Sequence, residues 1–197
     1  MISKKEKLIF LMPPKTASKS LTELLLDCSL EFEPFDKPIE IDTTHLYLSE
    51  MVKYFDVENL LQYKIIQVGR NPYQRFHSSY IYSKAELPID IFTERFYKSV
   101  MDGKVIDFVK EHYEGDTNSA LRTLLSQTQW NDMNADVLYL KLEDISKDVK
   151  ILADEVGVYL PQLDKINAQD YESIDFSEKF IQIIEKVYKS DFVKLKY

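Results

Sequence analysis

The stretch KLIFLMPPKTASKSLTELLL, Lys7 to Leu26, decides how the chain is read. Leu8-Ile9-Phe10-Leu11-Met12 is an unbroken apolar run, the pattern of a strand buried on both faces of a parallel sheet. Pro13-Pro14 ends it. Lys15-Thr16-Ala17-Ser18-Lys19-Ser20 then brings two lysines and three hydroxyls together. Leu21, Leu24 and Leu25 follow at helical spacing, with Thr22 and Glu23 between them. The unit is strand, short polar loop, helix. A helix start offers unpaired backbone N–H groups and the positive end of the dipole. Lysines and hydroxyls placed there make a site for phosphate or another tetrahedral oxyanion. It is not a Walker A loop, because Pro14 to Ser20 contains no glycine.

The 197 residues suffice for one sizeable core and are short for two domains, so a single domain over 1–197 is expected. Hydrophobic content of 45% and aromatic content of 13% describe a globular chain. A net charge of −8 argues against a non-specific nucleic-acid binder and makes a heavily sulfated polyanion a less natural partner. Cys28, the one cysteine, falls in the apolar pattern of the first helix and reads as a buried structural thiol. With one cysteine and three scattered histidines there is no ligand spacing for zinc, and no metal is expected. No segment is apolar for long enough to span a membrane. The apolar run after MISKKEK is too short for a signal-peptide core.

Asp27 to Asp42 is acidic, holds two prolines and reads as a loop with room for a short strand. Ser49 or Asp56 is placed to cap short helices across Glu50 to Leu61. Lys64 to Val68 is a second apolar run, expected to pair in parallel with the first as a βαβ unit. Gly69-Arg70-Asn71-Pro72-Tyr73-Gln74-Arg75-Phe76-His77-Ser78-Ser79-Tyr80 follows at once. Pro72 suits the first turn of a helix. Arg70 then lies at the strand's end and Ser78 about two turns along the helix. A guanidinium fork binds phosphate in bidentate fashion, and a helix-borne serine adds a hydrogen bond. Ser83 to Asn118 has helical periodicity, punctuated by Gly103 and Gly115. Asp136 to Leu142 reads as a third strand, and Glu143-Asp144 opens a helix ended by Gly157. Ile174 to Tyr197 reads as one helix.

The two polar motifs together resemble those of sulfotransferases that use 3′-phosphoadenosine 5′-phosphosulfate (PAPS). In the glycan-type branch the first loop commonly reads P-K-T-G-G-T-S-L; here Ala17 and Ser18 stand at the glycines and Lys19 at a hydroxyl residue. The second motif, R-[DN]-P-[YW]-x-R-[FL]-x-S-x-Y, is matched by Arg70, Pro72, Tyr73, Arg75, Ser78 and Tyr80. Tyr188, Asp191-Phe192 and Tyr197 resemble that family's C-terminal close. The resemblance covers almost the whole chain, and is weak over Ser83 to Asn118.

The resemblance implies a three-layer α/β domain with a central, mainly parallel sheet, like that of P-loop kinases. It implies PAPS as sulfuryl donor, held by Lys15, Thr16, Ala17, Ser18, Lys19 and Ser20 at the 5′-phosphosulfate and by Arg70 and Ser78 at the 3′-phosphate. Lys15 is the expected catalytic cation. His45, in a partial match to H-[LAV]-[TS], is the expected base, with an acid of the Glu31–Asp42 loop as fallback. Gln127, Gln129 and Trp130 are candidates to line the cleft, whereas the alternative for Trp130 is an apolar anchor. Glu143 reads as structural, His77 as a surface residue and His112 as solvated. The expected acceptor is a hydroxyl on a sugar, glycan or small metabolite, the expected location is the cytoplasm, and the oligomeric state is open. Two rivals stand beside this: an ATP-dependent P-loop-like kinase, and a degenerate protein that binds the nucleotide or a partner without catalysis.

Overall fold

Lys4 to Lys7 turn the chain back on itself, so that Ile2–Ser3 (β1) runs antiparallel to Leu8–Leu11 (β2), with Ile2 opposite Ile9. The computed structural model describes residues 1–26, 30–34, 45–83, 85–157 and 175–197. Cys28 and most of the acidic loop lie outside them. β2 pairs in parallel with Lys64–Gly69 (β3), which pairs in parallel with Val137–Lys141 (β4). Among the described residues the sheet has four strands in the order β1-β2-β3-β4. Every residue of β2 is buried, as its unbroken apolar run requires. The expected parallel core is present, and the short antiparallel edge is an addition that two residues could not announce.

The helices follow in chain order. Ser18–Leu26 (α1) and Leu48–Tyr54 (α2) lie between β2 and β3. Pro72–Ser83 (α3), Ile89–Met101 (α4), Val105–His112 (α5) and Thr117–Leu124 (α6) lie between β3 and β4. Ile145–Val156 (α7), Glu178–Val187 (α8) and Lys189–Leu195 (α9) come after β4. Gly103 and Gly115 take positive φ at the breaks flanking α5, where an L side chain would be strained.

The chain divides into two compact units. The first, Met1–Arg70 with Thr128–Asp170, contains the sheet. Its core joins Leu8, Phe10 and Met12 to Leu21 and Leu25 of α1 and to Ile66, Val68 and Leu140. The second, Asn71–Gln127 with Tyr171–Tyr197, is helical and has an aromatic core. There Phe76 meets Phe92, Phe96, Phe180 and Tyr188 at ring-centroid distances of 6.0, 5.3, 5.8 and 6.2 Å, all tilted away from the face-to-face sandwich that aromatic pairs disfavour.

Three local expectations are corrected. The cap of α2 is neither Ser49 nor Asp56: Tyr47 holds the N-cap position and Glu50 Oε2 accepts its N–H at 2.7 Å. Ser49 sits inside the helix and donates to Asp132 instead. The C-terminal segment is two helices, broken at Tyr188. The break lets the buried Tyr188 hydroxyl donate to Leu124 O at 2.6 Å, and Asp191 accept from Gln127 N–H at 2.9 Å. His112 is not solvated: only 8% of its side chain is exposed and it packs against Phe108 and Phe92, so burial lowers its imidazole pKa.

Candidate functional site

The turn from β2 into α1 is built without glycine. Lys15 has φ +68° and Ala17 φ +58°, the left-handed region that costs an L residue roughly 1–2 kcal/mol. Strain of this kind persists where its surroundings over-determine it, and clusters at ligand clamps. Three contacts hold it here. Thr16 is 1% exposed and its Oγ1 donates to Pro13 O at 2.7 Å, closing the turn. Ala17 O accepts Leu21 N–H at 3.0 Å, the first helical bond. Arg70, buried at the end of β3, donates Nη1 to Lys15 O at 3.3 Å.

This geometry settles what each loop residue can offer. Ala17 is left-handed and Ser18 helical, the pairing of conformations that turns successive N–H groups inward as an anion-binding nest. The N–H groups of Ser18, Lys19 and Ser20 start α1 without intrahelical acceptors. No acidic residue lies in the first turn to offset the positive dipole end. The Thr16 hydroxyl is already engaged with Pro13 O. Lys19 is exposed, Lys15 and Ser18 are half-buried and Ser20 is buried. A donor set of backbone N–H groups, two ammonium groups and a serine hydroxyl suits a phosphosulfate, which presents only oxygen acceptors. The residues therefore fit the group the motif implies.

His45 lies in the same unit. Its Nδ1 is 2.6 Å from Met12 O, the carbonyl at the end of the apolar run. A carbonyl only accepts, so Nδ1 carries a proton; when the ring is neutral its lone pair is then on Nε2, the atom a general base needs. Trp130 is wholly buried, with its indole N–H donating to His45 O at 3.2 Å and its ring 5.1 Å from that of Tyr47.

The other candidates are distributed as follows. Gln129 is exposed in the same unit. Gln127 is wholly buried in the second unit, where its main chain bonds Asp191. Ser78 is half-buried on α3, also in the second unit, one residue after His77, whose ring packs beside Phe176 and Tyr80. Arg75, beside Arg70 in the motif, is buried and donates to Leu125 O at 2.8 Å, which makes it a brace for the chain after α6. At β4, Asp148 Oδ2 accepts Lys141 N–H at 2.8 Å, so the strand end is held by Asp148, while Glu143 is exposed. Sequence reasoning missed the Met12 carbonyl, which has no side-chain signature. It also missed Trp130 as the partner of His45, although a buried indole N–H usually finds an acceptor.

No protein-family model matches the chain, and no curated protein sequence does. Among solved structures, the crystal structure of a sulfotransferase from Alicyclobacillus acidocaldarius is similar, with a TM-score of 0.51 and 15% identity. The match covers 96% of this chain and 94% of that one. At that identity the likeness establishes the fold: this chain has a sulfotransferase-like α/β fold. Among the described residues no helix is long and apolar enough to cross a membrane.

Proposed function

We propose that this protein transfers a sulfuryl group from PAPS to a hydroxyl of a sugar, glycan or small metabolite, releasing 3′,5′-ADP (PAP). The observation that carries the reading is the glycine-free turn at Lys15–Ala17, held in left-handed backbone and tied through Lys15 O to Arg70. The neighbour's near-complete coverage supports reading 1–197 as one such domain. In this reading the first N–H groups of α1 and Lys15 hold the 5′-phosphosulfate, with Lys19 and Ser20 adding positive charge and a hydroxyl. Arg70 takes the 3′-phosphate; Ser78 enters on its sequence motif alone.

PAPS supplies an activated sulfur with a good leaving group. The chain's own residues do the rest by position and charge, as in phosphoryl transfer. The acceptor oxygen forms a bond to sulfur while the bridging sulfur–oxygen bond breaks, and the electron pair leaves on the 5′-phosphate oxygen of PAP. Lys15 offsets the charge that grows there. His45 Nε2 takes the acceptor's proton, and its Nδ1–H bond to Met12 O holds the ring while it does so. Ala17 bears on the degenerate alternative: alanine already adopts the turn that glycine would favour, so the missing glycines do not by themselves unmake the loop.

The test is transfer of labelled sulfate from PAPS to a panel of sugars and small hydroxyl compounds, with wild type and Lys15→Met side by side. Label transfer that Lys15→Met loses, while its PAP affinity falls by less than about tenfold, supports the reading. PAP binding without transfer to any acceptor favours the degenerate binder.

A further inference from the structure

We propose that Trp130 and Asp132 form a bracket that fixes the position of His45, making Trp130 a positioning residue for the proton acceptor. The role in turnover rests on the sulfuryl-transfer reading; the bracket itself stands on geometry alone. His45 is held at two points. Its ring is fixed by Nδ1 to Met12 O at 2.6 Å, next to the turn that begins at Pro13. Its backbone is fixed by the Trp130 indole, which donates to His45 O at 3.2 Å. The indole cannot drift, because Trp130 has no exposed surface and Tyr47 packs against its ring.

A second fastening lies four residues on. Asp132 Oδ1 accepts Ser49 N–H at 2.9 Å, and Asp132 Oδ2 accepts the Ser49 hydroxyl. The segment from His45 to Ser49 is therefore bolted at each end to the segment from Trp130 to Asp132. Ser49 and Asp132 are exposed, and no apolar burial explains their pairing. Tyr47 is braced between the two bolts, its N–H on Glu50 Oε2 at 2.7 Å. A histidine restrained through both ring and backbone needs little reorganisation to accept a proton, and small misplacements of such groups cost rate rather than binding.

The variant that tests this is Trp130→Phe, which keeps an aromatic ring in the core and removes only the N–H. Two readouts are taken. In ¹⁵N NMR of the imidazole, wild-type His45 shows a protonated Nδ1 and an unprotonated Nε2 when neutral, whereas Trp130→Phe shows a mixture of tautomers. In steady-state kinetics with PAPS, Trp130→Phe lowers kcat by about ten- to a hundredfold and leaves the KM for PAPS within about twofold. Ser49→Ala shifts both readouts in the same direction, less strongly, and serves if Trp130→Phe does not fold. A single Nδ1–H tautomer in the variants, with kcat unchanged, overturns the bracket. If wild type transfers no sulfate, the sulfotransferase reading fails, while the NMR arm still decides the bracket.

Discussion

Arg70 Nη1 donates to the main-chain carbonyl of Lys15 at 3.3 Å, joining the end of β3 to the turn after β2 across a separation of 55 residues. The buried guanidinium shapes the turn and, in the proposed site, also presents charge to the 3′-phosphate. Hydrogen bonds to charged groups contribute about 1.5–3 kcal/mol. Arg70→Lys keeps the charge but loses the fork, so PAP should bind about ten- to a hundredfold more weakly, measured by calorimetric titration. Unchanged PAP affinity would remove Arg70 from the site.

Ala17 gives a prediction of opposite sign. Replacing a left-handed alanine by glycine relieves roughly 1–2 kcal/mol of strain and gives back about 0.4–1 kcal/mol through the freer unfolded chain. Ala17→Gly should therefore leave stability unchanged or raise it by up to about 1.6 kcal/mol, with PAP binding retained. Ala17→Val, whose branched side chain resists positive φ, should destabilise the fold. Urea unfolding of the two variants checks both. A clear loss of stability in Ala17→Gly would mean that the left-handed turn is not what the folded protein adopts.

Tyr188 tests the break between α8 and α9. Tyr188→Phe leaves Leu124 O buried without its donor, which costs about 1–3 kcal/mol. For a chain of this size that lowers Tm by about 2–4 °C per kcal/mol. Calorimetry decides: a Tm equal to wild type would show that the break has another cause.

The buried tyrosines also set an alkaline limit. Burial pushes the hydroxyls of Tyr113 and Tyr188 well above their ordinary value, and burial with the nearby Glu185 raises Tyr73 to about 12. The unfolded chain ionises near pH 10 while the folded chain keeps its protons, so the unfolded state binds fewer protons. The tyrosine contribution is whole below about pH 10 and is lost as pH rises from there towards the folded values, at about 1.4 kcal/mol per pH unit for each of the two buried tyrosines. Urea midpoints at about pH 9, 10 and 11 should fall at the upper end, and less steeply in Tyr188→Phe. A flat profile would contradict the burial of these hydroxyls.

Much of the fold was legible because its signals are local. The apolar runs at Leu8–Met12 and Lys64–Val68 became β2 and β3, and Gly157 closes α7 with φ +72°. What was not legible depends on long-range partners. Tyr188 breaks a helix that periodicity would continue, because its hydroxyl reaches Leu124, 64 residues earlier. Ser49 looked like a cap and instead meets Asp132. In the candidate site, Lys15 and Arg70 could be picked out by charge and motif, whereas the bond from Arg70 Nη1 to the Lys15 carbonyl could not. The Met12 carbonyl beside His45 could not be, since a backbone acceptor leaves no mark on the sequence.

A thermal-shift series with PAP, ATP, ADP and AMP on the full chain tests the proposed 3′-phosphate site directly. A ligand at about a hundred times its Kd adds about 2.7 kcal/mol to folding stability, or about 5–10 °C at this size. PAP should give a shift of that order and ATP a much smaller one, because only PAP carries the 3′-phosphate proposed to meet Arg70. A shift with ATP and none with PAP would contradict the proposed site and turn the reading towards a kinase.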